Sequence, residues 1–229
     1  DEMPLYFILS IRFLVGALLL FLVGCKNWKK LNKKYLWAGG ITGVFLALAY
    51  ITQTIGLQYT TPSKNAFLTT VYCVLVPFFC WGVTKKAPDK FNLVAAVVCL
   101  TGIGLVSLGS GDISFNFMGD GMTLVCGIFF ALQIVAIEFW GEDMDVVLYT
   151  AVQFFTAFII CFAGFLIFEE APASISLSTI GSLAYVSVFA TTLAFLLMNV
   201  GVKYASASSS SLILSCEAVF GVLFSILFY

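Results

Sequence analysis

The stretch Leu48-Ala-Tyr-Ile-Thr-Gln-Thr-Ile-Gly-Leu-Gln-Tyr-Thr-Thr-Pro-Ser-Lys-Asn-Ala-Phe-Leu-Thr-Thr-Val-Tyr-Cys-Val74 decides the fold, because the chain carries it twice. A shift of 145 residues lays it on Leu193 to Val219 with six identities over 27 positions: Leu48/Leu193, Ala49/Ala194, Gly56/Gly201, Tyr59/Tyr204, Ser63/Ser208 and Val74/Val219. Tyr50/Phe195, Leu57/Val202, Thr61/Ser206 and Thr70/Ser215 are close matches. Both copies follow one plan: a long apolar run, G-[LV]-[QK]-Y-[TA]-[TS], a tight turn, a second apolar run. Self-similarity at a fixed offset marks equivalent structural units. Here the unit is a helical hairpin.

The composition says where such hairpins live. Of 229 residues, 61% are hydrophobic, 16% aromatic and 10% charged. A soluble domain averages roughly 45–50% apolar and about 25% charged. A mean hydropathy of +1.06 cannot be wrapped in a polar surface. This reads as an integral membrane protein and excludes a soluble enzyme, a disordered chain and a nucleic-acid binder. The net charge of -1 offers no basic surface to a polyanion. The absence of histidine removes the usual zinc ligands and the commonest general base, so no enzyme activity is expected. Seven cysteines, none in a C-x-x-C pair, read as free thiols packing as small hydrophobes. No disulfide framework, metal site or cofactor is expected.

A transmembrane helix needs about 20 mostly apolar residues. Eight such spans are predicted, A to H, at 3–24, 36–58, 63–84, 91–109, 118–140, 146–168, 178–201 and 207–229. The predicted fold class is therefore all-α: one polytopic membrane domain over 1–229, with a first repeat at 1–109 and a second at 118–229. Lysines cluster in the A–B connection (Lys26, Lys29, Lys30, Lys33, Lys34) and the C–D connection (Lys85, Lys86, Lys90). By the positive-inside rule these lie in the cytoplasm. The E–F connection, Gly141 to Asp145, then also falls inside although it is acidic, and Lys64 falls outside. The B–C turn is outside and the G–H turn inside, so the repeats are inverted across the membrane. Inverted repeats are common in alternating-access transporters. The offset implies a symmetric unit of five plus five spans, of which eight are visible. The chain begins at Asp1 almost on a span and ends at Tyr229 inside one, as a chain truncated at both ends does.

Several motifs resemble a known family. Gln53-Thr-Ile-Gly-Leu-Gln-Tyr-Thr-Thr-Pro-Ser followed by Leu75-Val-Pro77 is similar to the drug/metabolite transporter superfamily, EamA type. Ser10-Ile-Arg12-Phe resembles that family's second helix, and Gly119-Asp120 the opening of its sixth. Cys216-Glu217-Ala-Val-Phe resembles its leucine-glutamate-proline-valine-phenylalanine element, with Cys216 for the leucine and Ala218 for the proline. The resemblance covers family helices two to nine. It implies ten helices in the complete fold and transport or export of small metabolites.

Ionisable groups inside a bilayer cost about 2.5–3.5 kcal/mol each, so they are candidates for function. Arg12, about 13 Å into span A at 1.5 Å per residue, can hold a substrate carboxylate, pair with an intramembrane Glu, or snorkel. Glu217, near the middle of span H, is the candidate proton- or cation-coupling group; the alternative is a protonated Glu bonded to a neighbouring helix. Glu138, beside Trp140, reads as interfacial. A polar path is expected from Tyr50, Gln53, Asn65, Thr69 and Tyr72 on B and C, Gln133 on E, Asn199 on G, and Ser211 and Ser215 on H. Tyr72 occupies the repeat position of Glu217. Gln153, Thr191, Thr192 and Ser209 are further polar residues. Each of these can instead serve helix–helix hydrogen bonding. Gly39, Gly40 and Gly43 read as a small-residue packing face, and Ser208 to Ser211 as the capping start of helix H.

The expected function is secondary-active transport or export of small metabolites, amino acids or related solutes and drugs, by alternating access. Two repeats would rock about a midplane site lined by B, C, E, G and H, possible proton coupling running through Glu217. A passive channel or a non-transporting scaffold is the alternative. The expected partners are a small-molecule substrate and the lipid bilayer, with no nucleic acid. The expected location is the plasma membrane of a bacterium.

Overall fold

The computed structural model describes residues 3–108, 116–141, 143–172 and 175–220. The described chain is helical throughout: α1 (Leu5–Val23), a 3-10 turn (Cys25–Lys30), α2 (Lys33–Gln58), α3 (Pro62–Thr69), α4 (Tyr72–Thr84), α5 (Lys90–Leu108), α6 (Phe117–Gly141), α7 (Val146–Phe168), α8 (Leu177–Tyr185), a π-helical turn (Val186–Leu193), α9 (Ala194–Tyr204) and α10 (Ala207–Leu214). Among the described residues, six helical stretches are long and apolar enough to cross a membrane: 5–23, 33–58, 62–84, 117–141, 146–168 and 177–204. Span D corresponds to α5, and the described part of span H to the apolar stretch Ala207–Phe220. The rest of span H, 221–229, and Glu142 of the E–F connection lie outside the described residues.

Large apolar side chains line the outside of the helices, while polar and small residues pack inside beside buried aromatics. On α7, Phe155, Ile159, Phe162 and Leu166 are exposed. Its buried stripe is Thr150, Gln153, Phe154, Ala157, Cys161 and Gly164. That is the reverse of a water-soluble helix and suits lipid outside and close packing inside.

The chain divides into two compact units. The first combines Asp1–Ile51 with Ala136–Tyr204, and the second Thr52–Val135 with Ala205–Tyr229. In the first unit, α1 lies along α7 and the π-turn. A Cβ on Gly39 would sit 2.8 Å from Val152, and one on Gly43 2.5 Å from the Gln153 carbonyl oxygen, so α2 meets α7 backbone to backbone. Gly40 has open space around it. The packing face is thus the Gly39-x-x-x-Gly43 pair. Glu169 closes the start of α1, its two carboxylate oxygens accepting from the Tyr6 and Phe7 N–H groups at 2.9 Å each. A carboxylate there satisfies free amides and meets the positive helix end.

The first unit also explains the acidic E–F connection. Asp145 caps α7 by accepting from the Val147 and Leu148 N–H groups, and also accepts from Asn27 Nδ2 at 2.8 Å. Its own N–H donates to the Tyr35 hydroxyl at 2.7 Å. Lys34 pairs with Asp143 at 3.6 Å, and Lys203 Nζ donates to the Met144 carbonyl at 2.6 Å. The A–B, E–F and G–H connections therefore meet at one end, as the charge reading requires. The acids there are helix caps and partners for lysines.

The second unit contains the helix starts that follow both copies of the turn. Thr61 caps α3, its hydroxyl accepting from the Lys64 N–H; Ser206 caps α10, its hydroxyl accepting from the Ser209 N–H. Both helices last eight residues and end at Thr69 and Leu214. The next residue in each donates its hydroxyl back to the carbonyl three positions earlier, Thr70 to Phe67 at 2.6 Å and Ser215 to Leu212 at 2.6 Å. Every one of these pairs is separated by 145 residues. Two expectations change in detail. Span C is broken at Thr70 and Val71 into α3 and α4, because back-bonding hydroxyls bend a helix. The cap of helix H is Ser206, ahead of the serine run.

Cys73, Cys126 and Cys161 are buried as expected, whereas Cys25 and Cys216 are exposed. Cys25 sits in the 3-10 turn and Cys216 follows the bend at Ser215.

Candidate functional site

The candidate residues fall into separate polar clusters within each unit. In the first unit, Arg12 is partly buried on α1. Its Nε donates to Thr191 Oγ1 at 3.0 Å. Its guanidinium carbon lies 4.9 Å from the centre of the Tyr50 ring, a cation–π distance. Tyr50 is braced edge-on by Phe13 at 5.4 Å and by Phe195 at 5.8 Å. Phe154 packs on Phe13 and Phe195 at 5.7 and 5.9 Å. The expected pairing of Arg12 with an intramembrane Glu is not found among the described residues, because α1 presents it to the π-turn and to Tyr50. That turn sets the height of Thr191. Thr192 Oγ1 donates five residues back to the Ser187 carbonyl at 2.7 Å, a bond that follows the π-helical spacing.

A second cluster lies further along the first unit. Asn199 Nδ2 donates to Thr150 Oγ1 at 2.7 Å and to Gln153 Oε1 at 3.3 Å. All three are buried. Glu138 lies in the last turn of α6, partly exposed, close to the Trp140 ring that meets Trp37 at 4.7 Å.

In the second unit, Gln53, Asn65 and Thr69 are one network. Asn65 Nδ2 donates to Thr123 Oγ1 at 2.8 Å and to the Gln53 carbonyl at 3.3 Å, while Gln53 Nε2 donates to Thr69 Oγ1 at 3.4 Å. Ser211 is buried and donates to the Ser208 carbonyl at 2.9 Å. Ser215 Oγ lies 2.9 Å from Cys99 Sγ. Tyr72 is buried with its ring 6.4 Å from that of Phe130. Glu217 is exposed, and its carboxylate is within electrostatic reach of Tyr72. These two residues are repeat partners. Residues related by a two-fold axis can be neighbours only close to that axis.

Gln133 stands apart. It is fully buried, and neither its Oε1 nor its Nε2 has a hydrogen-bond partner among the described residues. Leaving buried polar atoms unsatisfied costs about 1–3 kcal/mol each. Gln133→Leu, close in volume, is therefore expected to raise thermal stability in detergent by about 1–3 kcal/mol. If the amide serves a solute, the same variant loses transport while gaining stability. A stability loss would show that Gln133 is bonded after all.

Sequence reasoning missed one cluster. Lys64 Nζ pairs with Asp120 Oδ2 at 2.6 Å, with Lys64 14% exposed and Asp120 fully buried. Thr60 Oγ1 donates to Asp120 Oδ1 at 2.9 Å and the Asn116 N–H to Oδ2 at 2.8 Å. The signal was present in Gly119-Asp120. Gly119 lets Tyr59 approach, since a Cβ there would lie 2.7 Å from the Tyr59 carbonyl carbon.

Comparison with known proteins adds the identity of the scaffold. The EamA-like transporter family model matches residues 1–108 and 117–229. This chain belongs to the EamA-like transporter family. An uncharacterised transporter of Archaeoglobus fulgidus is 32% identical over 226 residues, covering 99% of this chain and 70% of the relative. The uncharacterised transporter YetK of Bacillus subtilis is 25% identical over 238 residues, covering 98% of this chain and 71% of the relative. One solved crystal structure superimposes with a TM-score of 0.83 at 14% identity, covering 99% of this chain and 81% of the other; this likeness is one of fold. The EamA-like chain is thus a multi-pass helical membrane protein and a transporter.

Proposed function

We propose that this EamA-like protein is a secondary-active carrier that moves small metabolites, amino acids or related solutes and drugs, by alternating access. The observation that carries the reading is the twinned bend at Thr70 and Ser215, followed by the repeat partners Tyr72 and Glu217 within electrostatic reach of each other. Repeat-equivalent bends allow two inverted hairpins to exchange conformations, the symmetry that alternating access uses. The two partners differ in chemistry: Tyr72 is neutral, while Glu217 can take up and release a proton. Glu217 is the proposed proton-coupling group. Arg12, Tyr50, Gln53, Asn65, Thr69, Gln133, Asn199, Ser211 and Ser215 are the proposed polar path, with Glu138 as a charge at the cytoplasmic end.

Counterflow in proteoliposomes tests the carrier reading. Full-length protein is expected to exchange one solute class saturably, which a channel or a scaffold does not. Glu217→Gln is expected to keep counterflow while losing solute accumulation driven by a pH gradient. Undiminished gradient-driven accumulation in that variant removes Glu217 from the coupling role.

A further inference from the structure

We infer that Arg12 is the docking point for the carboxylate of the transported solute, which makes the substrate an organic acid or amino acid. The inference rests on the carrier reading above and names its substrate class.

Three observations converge on it. Arg12 is the eighth of 19 residues in α1, about 10 Å from the helix start at 1.5 Å per residue. A cation at that depth is costly unless compensated. Yet no Asp or Glu among the described residues pairs with it; its hydrogen-bond and ring partners are a threonine hydroxyl and an aromatic face, with the Cys161 thiol within electrostatic reach. Both contacts leave the outer edge of the guanidinium unused. Nε is engaged by Thr191, and neither Nη1 nor Nη2 donates a hydrogen bond to a described residue. Two Nη groups side by side form the fork that accepts a carboxylate in two parallel hydrogen bonds.

The second observation is rigidity. Tyr50, under the guanidinium, is held by Phe13 and Phe195, and those rings by Phe154. Phe13 and Phe154 are fully buried, whereas Arg12 and Tyr50 remain partly exposed. The accessible face of this cluster is therefore the charged one. A fork held in place loses little entropy when an anion binds.

The third observation is asymmetry. The repeat offset places Ala157 opposite Arg12 in the second half, and 41–48 of α2 opposite the π-turn. Residues 41–48 form ordinary α-helix. The second repeat thus lacks the arginine and the first lacks the π-turn, and both occur at one place, joined by the Arg12–Thr191 bond. π-Turns inside α-helices occur frequently at functional sites.

Matched acid and amide pairs test the inference: phenylacetate with phenylacetamide, and L-phenylalanine with L-phenylalaninamide. Thermal melting of the full-length protein in neutral detergent is followed with each probe, and counterflow of the same probes is measured in proteoliposomes. At least one acid is expected to raise the melting temperature saturably and to exchange, while its amide does neither. Arg12→Lys, which keeps the charge and loses the fork, is expected to raise the half-saturating concentration about tenfold. Arg12→Gln is expected to abolish the response. Arg12-dependent stabilisation without exchange keeps the carboxylate site and sinks the carrier reading. Exchange of amides as readily as acids, or acid exchange unchanged in Arg12→Gln, overturns the inference while leaving transport intact. Stabilisation by anionic phospholipid and by no carboxylate probe also overturns it. If Arg12→Gln does not fold, the wild-type pairs and Arg12→Lys decide.

Discussion

Lys64→Ala is expected to cost about 3–5 kcal/mol of folding stability, because it leaves a buried carboxylate without its counter-charge. Asp120 is fully buried, and its Oδ2 receives Lys64 Nζ at 2.6 Å. Thr60 and the Asn116 N–H remain as donors. They are neutral and cannot replace an ammonium. The loss should appear as a lower melting temperature in detergent or a lower midpoint in denaturant. Adding Asp120→Asn to Lys64→Ala should recover much of it, since the stranded charge is then gone. A single variant as stable as wild type would mean that water reaches Asp120. The pair joins the B–C turn to the start of α6, so its loss should act on that end of the second unit first.

Gly43→Leu is expected to be at least as damaging. Even a methyl at Gly43 would lie 2.5 Å from the Gln153 carbonyl oxygen and 2.7 Å from Thr156 Cβ. Neither neighbour is the flexible end of a side chain, so the α2 and α7 backbones must separate. Overpacking of this kind typically costs about 1–3 kcal/mol for added methylenes, occasionally more. Gly43→Ala should fall in that range, and Gly43→Leu should prevent recovery of folded protein. Gly40→Ala, three residues away with open space around it, is the control and should be neutral or slightly stabilising. Equal effects at Gly40 and Gly43 would show that helix propensity matters here and that interhelical contact does not. Separating α2 from α7 would also disturb Gln153, and with it the bond to Asn199.

The helices were legible because membrane solvation acts on composition and length alone. A run of about 20 apolar residues has one low-energy state in hydrocarbon, and the lysines of the A–B and C–D connections orient it. The repeat was legible for a local reason. Thr61 and Ser206 cap their helices with the same short-range bond, and Thr70 and Ser215 bend them with another, so similar residues at a fixed offset dictate the same conformation. The family resemblance rested on these same turns.

The candidate site was legible as a set of residues and not as a set of contacts. Arg12 stands out as a charge within an apolar run, but nothing near it in the chain names Thr191 or Tyr50 as its partners, 179 and 38 positions away. The π-turn that carries Thr191 has no composition signal, because one extra residue per turn is favoured only by what the helix packs against. Lys64 read as the one lysine on the outer side, at the start of span C, until Asp120 was found beside it. Gln133 looked like Gln153, and the two differ only in whether a partner lies across the helix interface. Solvent preference and bonds within one turn act along the chain, so they settled the helical spans and the twinned hairpins. Charge compensation, backbone approach at Gly43 and the satisfaction of buried amides depend on segments far apart in sequence, so those were decided by packing in three dimensions.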